Sequence, residues 1–354
     1  MSQFHQLKVK DIQRETRDAV VVTFDVPEGL AADYRFIQGQ YLTLRTTIGG
    51  EGVRRSYSIC SGVQDSQLRV AIKRVADGVF SSWAQEMLKP GAFLDVAPPE
   101  GRFHMPLEPA ARRHYLALAA GSGITPILSI MKTTLAAEPG SRFTLVYGNR
   151  SSSSVLFGQE LGDLKDLYLE RLNLIYIMSR EQQDIDLFNG RIDADKCAEL
   201  FARWIPVGDV DGVFVCGPEA MTRSVLTVLE EHGIPRTSIK AELFGTDQPV
   251  RAPRPVQAGP GIHATAIIDG RAREFEIDRG GETILDAALR QGVELPYSCK
   301  GGVCSTCRAH VVEGEVDMDV HFGLEDYEIA RGYILTCQSY PAGDRVVVDF
   351  DHQH

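Results

Sequence analysis

Long apolar runs are missing from this chain. No stretch approaches the roughly 20 residues that a membrane-spanning helix needs, and the opening Met1-Ser2-Gln3-Phe4-His5-Gln6-Leu7-Lys8 has no apolar core of the kind found in a secretory leader. No membrane partner is expected, and the cytoplasm is the expected location. Positive charge is short as well: 37 Lys and Arg stand against 48 Asp and Glu, a formal net charge of −11. A broad basic footprint for nucleic acid is therefore not expected. Cysteine is sparse and odd in number, at seven in 354 residues, yet three crowd between positions 299 and 307. A disulfide framework explains this poorly, and metal or cluster ligation explains it better.

What is present is the composition of a globular chain, 44% hydrophobic and 24% charged, long enough for two or three domains. Three segments follow one another. From Leu7 to about Met105, short alternating runs (Ala19–Val26, Tyr41–Thr46, Leu68–Val75) separated by Gly49-Gly50 and Asp77-Gly78 predict a small antiparallel β-barrel, ended by Pro98-Pro99-Glu100-Gly101. From His114 to about Thr246 the pattern becomes strand, helix, strand: Tyr115–Ala120, Phe143–Tyr147, Leu172–Met178 and Gly212–Cys216 as strands, Pro126–Ala137 and Glu219–His232 as helices. That alternation predicts an α/β parallel sheet covered on both faces. The proline-rich stretch 247–261 reads as a semi-rigid linker. Beyond it Asp269-Gly270 signals a type I′ hairpin, and Glu282–Gln291 a helix closed by Gly292. The expected domains are 1–107, 108–246 and 262–354.

Cys299, Cys304 and Cys307 have the spacing C-x4-C-x2-C, and Cys337 follows 29 residues later. Two irons need four convergent thiolates, so a tight loop wraps one side and a distant cysteine closes the other. Gly301 and Gly302 leave room for backbone amides to approach the sulfurs. This is the plant-type ferredoxin pattern. The alternative is a four-cysteine zinc site, which usually pairs two short C-x2-C elements. With Leu295–Cys299 and Leu335–Cys337, the last ninety or so residues resemble a ferredoxin domain of the α+β β-grasp type.

Arg55-Ser56-Tyr57-Ser58 is by itself an alternating, half-exposed strand. It also matches the Arg-x-Tyr-Ser motif of the ferredoxin–NADP reductase family, and that resemblance implies that Arg55 meets the FAD pyrophosphate, Tyr57 packs on the flavin and Ser58 bonds its ring system. Gly78-Val79-Phe80-Ser81 resembles the family's second flavin-phosphate loop, with backbone near Ala71 and Lys73 as weaker candidates. Gly121-Ser122-Gly123-Ile124-Thr125-Pro126 follows an apolar strand and opens a helix. That context suits a pyrophosphate on helix-terminal amides, where Pro126 lacks only a donor that would be unpaired anyway, although a tight turn is the plainer reading.

Cys216-Gly217-Pro218 follows another strand. The family resemblance places the cysteine beside the nicotinamide, whereas an isolated buried Cys is usually a small hydrophobe. Glu242-Leu243-Phe244 resembles the family's acid and flavin-covering aromatic, although the chain here continues. Ser179-Arg180-Glu181-Gln182 resembles the segment with which plant ferredoxin reductases hold the extra phosphate of NADPH, and Arg150 with Ser151 to Ser154 could add donors. A solvated arginine and a mobile serine loop are the alternative.

The order of barrel, nucleotide domain and ferredoxin resembles the reductases of multicomponent oxygenases. Tyr147–Arg150, Cys299–Cys304 and Val346–Asp351 are most similar to reductases serving di-iron ring epoxidases. The resemblance implies NADPH, FAD and a [2Fe–2S] cluster as cofactors, with FAD standing between a two-electron donor and a one-electron acceptor. It also implies di-iron oxygenase subunits as partners. Rival expectations are a reductase with another client, such as a ring-hydroxylating dioxygenase or a hybrid-cluster protein, and a flavin and iron–sulfur redox sensor. The acidic run Glu313, Glu315, Asp317, Asp319, Glu325, Asp326 and Glu328 reads as a solvated face or, alternatively, a docking face for a basic partner.

Overall fold

The computed structural model describes residues 4–244, 261–279 and 281–352. The expected linker 247–261 lies outside the described residues, apart from Gly261. The chain divides into two compact units, with the break between Phe244 and Gly245.

The first unit opens with six antiparallel strands: β1 (His5–Thr16), β2 (Ala19–Asp25), β3 (Tyr41–Ile48), β4 (Glu51–Ser58), β5 (Leu68–Lys73) and β6 (Phe93–Val96), ordered β4-β3-β6-β1-β2-β5. An antiparallel bridge between Ile59 and Val70, with the Cys60 N–H donating to Arg69 O at 2.9 Å, brings the two edge strands together as a barrel. Period-two alternation sends Val20 and Val22, Leu42 and Leu44, and Val70 and Ile72 into one core. Helix α1 (Val79–Glu86) adds Phe80 and Ala84 to that core.

The same unit continues as a parallel sheet of β7 (His114–Ala120), β8 (Arg142–Asn149), β9 (Leu172–Met178), β10 (Gly212–Gly217) and β11 (Ile239–Leu243), ordered β11-β10-β7-β8-β9. Helices α2 (Ile124–Ala137) and α3 (Gly158–Leu167) cover one face, and α4 (Ala194–Arg203) and α5 (Glu219–Glu231) the other. Strand β7 shows why its sequence is apolar throughout: Tyr115, Ala117 and Ala119 enter one core while Leu116 and Leu118 enter the other. Strand order reverses between β7 and β10. Open α/β sheets bind ligands beyond the carboxyl ends of strands at such a reversal.

The second unit contains β12 (Ile262–Ile268), β13 (Arg271–Ile277), α6 (Ile284–Arg290), β14 (Arg308–Glu313), β15 (Val316–Met318), α7 (Asp326–Ala330), β16 (Tyr333–Leu335), β17 (Ser339–Pro341) and β18 (Arg345–Asp349). Its main sheet is ordered β13-β12-β18-β14-β16, with β12 and β18 parallel and the other pairs antiparallel. Asp269 and Gly270 both have positive φ, 49° and 68°, as a type I′ turn requires. Both of their N–H groups donate to the carboxylate of Asp351, at 2.9 and 2.7 Å. The Thr283 side chain caps α6 by accepting from Asp286 N, which starts the helix two residues later than the sequence suggested.

Candidate functional site

The four expected cysteines come together in the second unit. Cys304 Sγ lies 3.1 Å from Cys299 Sγ, and Gly301 N–H donates to Cys299 Sγ at 3.3 Å. Cys299 also takes a hydrogen bond from Cys337, and Cys337 is bonded in turn to Cys307, so the sulfurs form one continuous chain. Hydrogen bonds from Cys304 and then Cys337 hold the Cys299 thiol well below its ordinary range despite its burial. The Cys304 and Cys337 thiols are pushed up, first by their bonds to Cys299 and also by burial. A thiolate is the ligating form of cysteine.

The loop backbone makes this possible. Lys300 and Gly302 adopt φ of 53° and 74°, and a Cβ at Gly302 would meet Val320 at 2.8 Å. Gln338 Nε2 donates to Lys300 O at 2.9 Å, tying the loop to the residue after Cys337. Among the described residues no three His, Cys, Asp or Glu side chains are spaced around a single ion. Cys299, Cys304, Cys307 and Cys337 would hold a cluster, which would supply one-electron transfer there. Four convergent thiols, with an amide aimed at one of them, fit a [2Fe–2S] cluster.

In the first unit, alternation puts Arg55 and Tyr57 on one face of β4 and Ser58, 3% exposed, on the other. Tyr57 packs on Phe80 (ring centroids 5.6 Å apart), and Phe80 on Trp83 (5.5 Å). Arg55 is exposed and donates only to the Arg54 carbonyl, at 2.7 Å, which leaves most of its guanidinium available. The segment expected as a phosphate loop is a helix start: Gly78 is the N-cap residue and Val79, Phe80 and Ser81 form the first turn of α1. Ser81 Oγ accepts from Val75 N at 3.1 Å and donates to Gly78 O at 3.2 Å, so its hydroxyl closes the turn. A Cβ at Gly78 would stand 2.6 Å from that hydroxyl. Ala71 is buried, while Lys73 reaches Asp18 at 3.7 Å.

At the sheet's carboxyl edge, Gly121–Gly123 forms a single 3₁₀ turn leading into α2. Gly121 has φ of +55°, and a Cβ at Gly123 would stand 2.1 Å from Cys216 O, so both positions demand glycine for different reasons. Thr125 Oγ1 donates to Ser122 O at 2.9 Å and holds the turn, and Pro126 occupies the first helical turn. Tyr147, which sequence reasoning did not place at the site, donates from its hydroxyl to Gly121 O at 2.9 Å. The turn is therefore braced by the neighbouring strand.

Cys216 and Glu242 are register partners on β10 and β11. Cys216 is fully buried, and burial, then the Glu242 charge, pushes its thiol well up. Burial alone pushes the Glu242 carboxyl up to about 8, and its Oε2 is buried without a hydrogen-bond partner. Gly217 O accepts from Phe244 N at 3.3 Å, and Pro218 is the N-cap residue of α5.

Backbone bonds place the two arginines together: Ser179 N–H donates to Asn149 O at 2.9 Å and Arg180 N–H to Arg150 O at 2.8 Å. Both guanidinium groups are exposed and enter no ion pair among the described residues. The serine run offers fewer donors than its composition suggested. Ser152 N–H and Oγ both donate to Glu181 Oε2 at 2.8 Å, and Ser154 Oγ donates to Ser151 O at 2.7 Å.

Three family descriptions match in order: an oxidoreductase FAD-binding domain over residues 6–105, an oxidoreductase NAD-binding domain over 117–227, and a 2Fe-2S iron-sulfur cluster binding domain over 266–342. The chain belongs to this family of flavin and iron–sulfur oxidoreductases. Within it, the chain is 47% identical to a component of the 1,2-phenylacetyl-CoA epoxidase of Escherichia coli K12, covering 99% of both chains. It is 33% identical to the ferredoxin reductase component of the 3-ketosteroid-9-alpha-monooxygenase of Rhodococcus rhodochrous, covering 97% of this chain and 96% of that one. Phthalate dioxygenase reductase shares the fold across 98% of both chains, with a TM-score of 0.62 and 25% identity. The family thus supplies FAD, a nicotinamide nucleotide and a [2Fe–2S] cluster as this oxidoreductase's cofactors, and its full-length relatives are reductase components of oxygenases.

Proposed function

We propose that this reductase draws electrons from NADPH and delivers them, through FAD and its [2Fe–2S] cluster, to a di-iron oxygenase of the phenylacetyl-CoA epoxidase type. The observation that carries the reading is the convergence of four thiols in a chain whose other unit presents a flavin-type barrel and a glycine turn at a strand-order reversal. The 47% identity over 99% of the chain supports the client. When bound, FAD takes up the two electrons of a hydride and the cluster takes them one at a time.

The chain's residues bind and orient. Arg55 neutralises the flavin pyrophosphate, Tyr57 packs against the ring system, and the first turn of α1 offers amide donors. The amides of the Gly121–Gly123 turn take the nucleotide pyrophosphate. Cys216 and Gly217 form a close-packed floor for the nicotinamide, with Phe244 beside it. Glu242, neutral up to about pH 8, holds a proton at its carboxyl and can donate to a ring or amide oxygen. Cys299, Cys304, Cys307 and Cys337 hold the cluster.

The NADPH preference rests on Arg150 and Arg180, with Ser179 at their side, as cations for the 2′-phosphate. Changing both arginines to Ala should raise KM for NADPH by roughly ten- to a hundredfold while leaving that for NADH within about twofold. Equal effects on both nucleotides would remove the preference.

The exposed Glu315 and Asp326 are the docking residues of the acidic segment, where Glu313 faces Arg345 at 3.5 Å. Glu328 is not one of them, being fully buried and bonded to Arg308 at 2.5 Å. The decisive test combines purified protein with the separate oxygenase subunits and phenylacetyl-CoA, following oxygen uptake against NADPH oxidation. Coupled uptake is expected. NADPH oxidation that no di-iron oxygenase accelerates, but a ring-hydroxylating dioxygenase does, would reassign the client. Charge reversal at the acidic face that left this coupling unchanged at low salt would discard docking there.

A further inference from the structure

Interlocked ion pairs cross the seam between barrel and parallel sheet in the first unit. Lys132 on α2 places its amine 2.5 Å from Asp65 Oδ2 and 2.6 Å from Glu160 Oε1. Arg69 on β5 reaches Glu160 Oε2 at 2.8 Å. Asp65 and Arg69 belong to the barrel, Lys132 and Glu160 to helices of the sheet, so the charges run barrel, sheet, sheet, barrel. The four side chains are only 13–24% exposed. Exposed pairs contribute little, but removing one member of a partly desolvated, neutral quartet leaves its partner unpaired.

The placement gives the quartet its significance. Pleating puts Arg69, Ala71 and Lys73 on one face of β5. Ala71 packs in the same core as Ala119, Ile124 and Ile127, and Lys73 Nζ lies 4.0 Å from where a Cβ of Gly121 would stand. Strand β5 therefore runs from the quartet to the glycine turn, over about 13 Å at 3.3 Å per residue. Helix α2 runs from that turn back to Lys132, over about 12 Å at 1.5 Å per residue. Two arms of matched length, joined by charge at one end, meet at the nucleotide turn at the other.

Neighbouring bonds reinforce the joint. Val63 N–H donates to Thr133 Oγ1 at 3.1 Å, and Gln64 Nε2 to Lys132 O at 3.2 Å. Glu15 Oε1, from β1, accepts Phe157 N at 2.7 Å at the start of α3, whose own N-cap residue provides no side-chain cap.

The geometry points to Asp65, Arg69, Lys132 and Glu160 as positioning residues that set the spacing between the glycine turn and the flavin-side strand β5, and through it the rate of flavin reduction by bound nicotinamide. The quartet itself exchanges no atom or electron. This inference rests on the reading that nucleotide and flavin bind at those two edges.

The test uses full-length, flavin- and cluster-loaded protein mixed anaerobically with NADPH, recording the limiting rate of flavin bleaching per bound flavin and the apparent Kd. Lys132→Met should lower the limiting rate about tenfold or more while Kd stays within about twofold, because a misplacement of about 1 Å can cost two orders of magnitude. Lys132→Arg should restore most of the rate. Where Lys132→Met fails to retain flavin, Asp65→Asn carries the same expectation. A parental limiting rate in these variants, whatever their melting temperature, overturns positioning and leaves a purely structural tie. Parent protein whose flavin NADPH does not bleach would instead sink the functional reading beneath it.

Discussion

Three of the four converging thiols lie within nine residues of one another, whereas the carboxyl edge of the parallel sheet is assembled from strand ends at Ala120, Asn149, Met178, Gly217 and Leu243. The loop brings side chains together, with Cys304 Sγ 3.1 Å from Cys299 Sγ. The edge is built largely from backbone brought close, with Gly123 pressed against Cys216 and Gly121 held by Tyr147. The contrast teaches that one region fails when a ligand atom is taken away, and the other fails when atoms are added.

The largest effect should come from the loop. Cys337→Ser removes the closing thiolate and should leave protein with little iron or sulfide, while flavin reduction by NADPH continues. Full iron and sulfide content by chemical analysis would break the contrast at its root. Next comes the edge: Gly123→Ala drives a methyl into a backbone carbonyl. It should destabilise the first unit by about 1–3 kcal/mol and slow nucleotide-dependent flavin reduction, with the cluster spectrum intact. Urea unfolding and rapid mixing read both.

A smaller effect follows from Glu242. Its folded pKa of about 8 exceeds the value near 4.5 of a free carboxyl, so the unfolded chain loses this proton first. Stability from the neutral acid is complete below about pH 4.5 and declines through about pH 8, by at most about 1.4 kcal/mol per pH unit. Glu242→Gln should flatten that decline, and a parental slope in urea melts from pH 5 to 8 would show that the acid ionises freely. The smallest effects form a matched pair within the loop. A Cβ at Gly301 finds nothing nearer than Cys299 O at 3.8 Å, so Gly301→Ala should cost under about 1 kcal/mol, whereas Gly302→Ala meets both positive φ and Val320 and should cost more.

The same contrast explains what was legible in advance. The cysteine loop could be read because Cys299, Cys304 and Cys307 are close in sequence, and β7, the glycine turn and α2 because an apolar run, a turn and a helix follow one another directly. The hairpin at Asp269-Gly270 was legible for the same reason. Tyr147's grip on Gly121 spans 26 residues and the Arg69–Glu160 pair spans 91, distances over which no pattern in the chain signals contact. Helix α3 carries Gly158 and Gly162 and buries only Leu161 and Leu164, too thin a stripe to announce itself. At Gly78 the chain starts a helix whose first turn is closed by the Ser81 hydroxyl, a local bond that no residue pattern signals.

Strand β18 lies at the centre of its sheet, between β12 and β14, although it is the last strand in the described chain. During synthesis, strands β12 and β14 must wait for residues Arg345–Asp349 to leave the ribosome before they can be joined. The flavin-side unit, finished about a hundred residues earlier, is free to fold and take up its cofactor first. Because the two units have separate cores, cells starved of cluster-assembly capacity should accumulate a yellow, half-equipped reductase rather than an unfolded one.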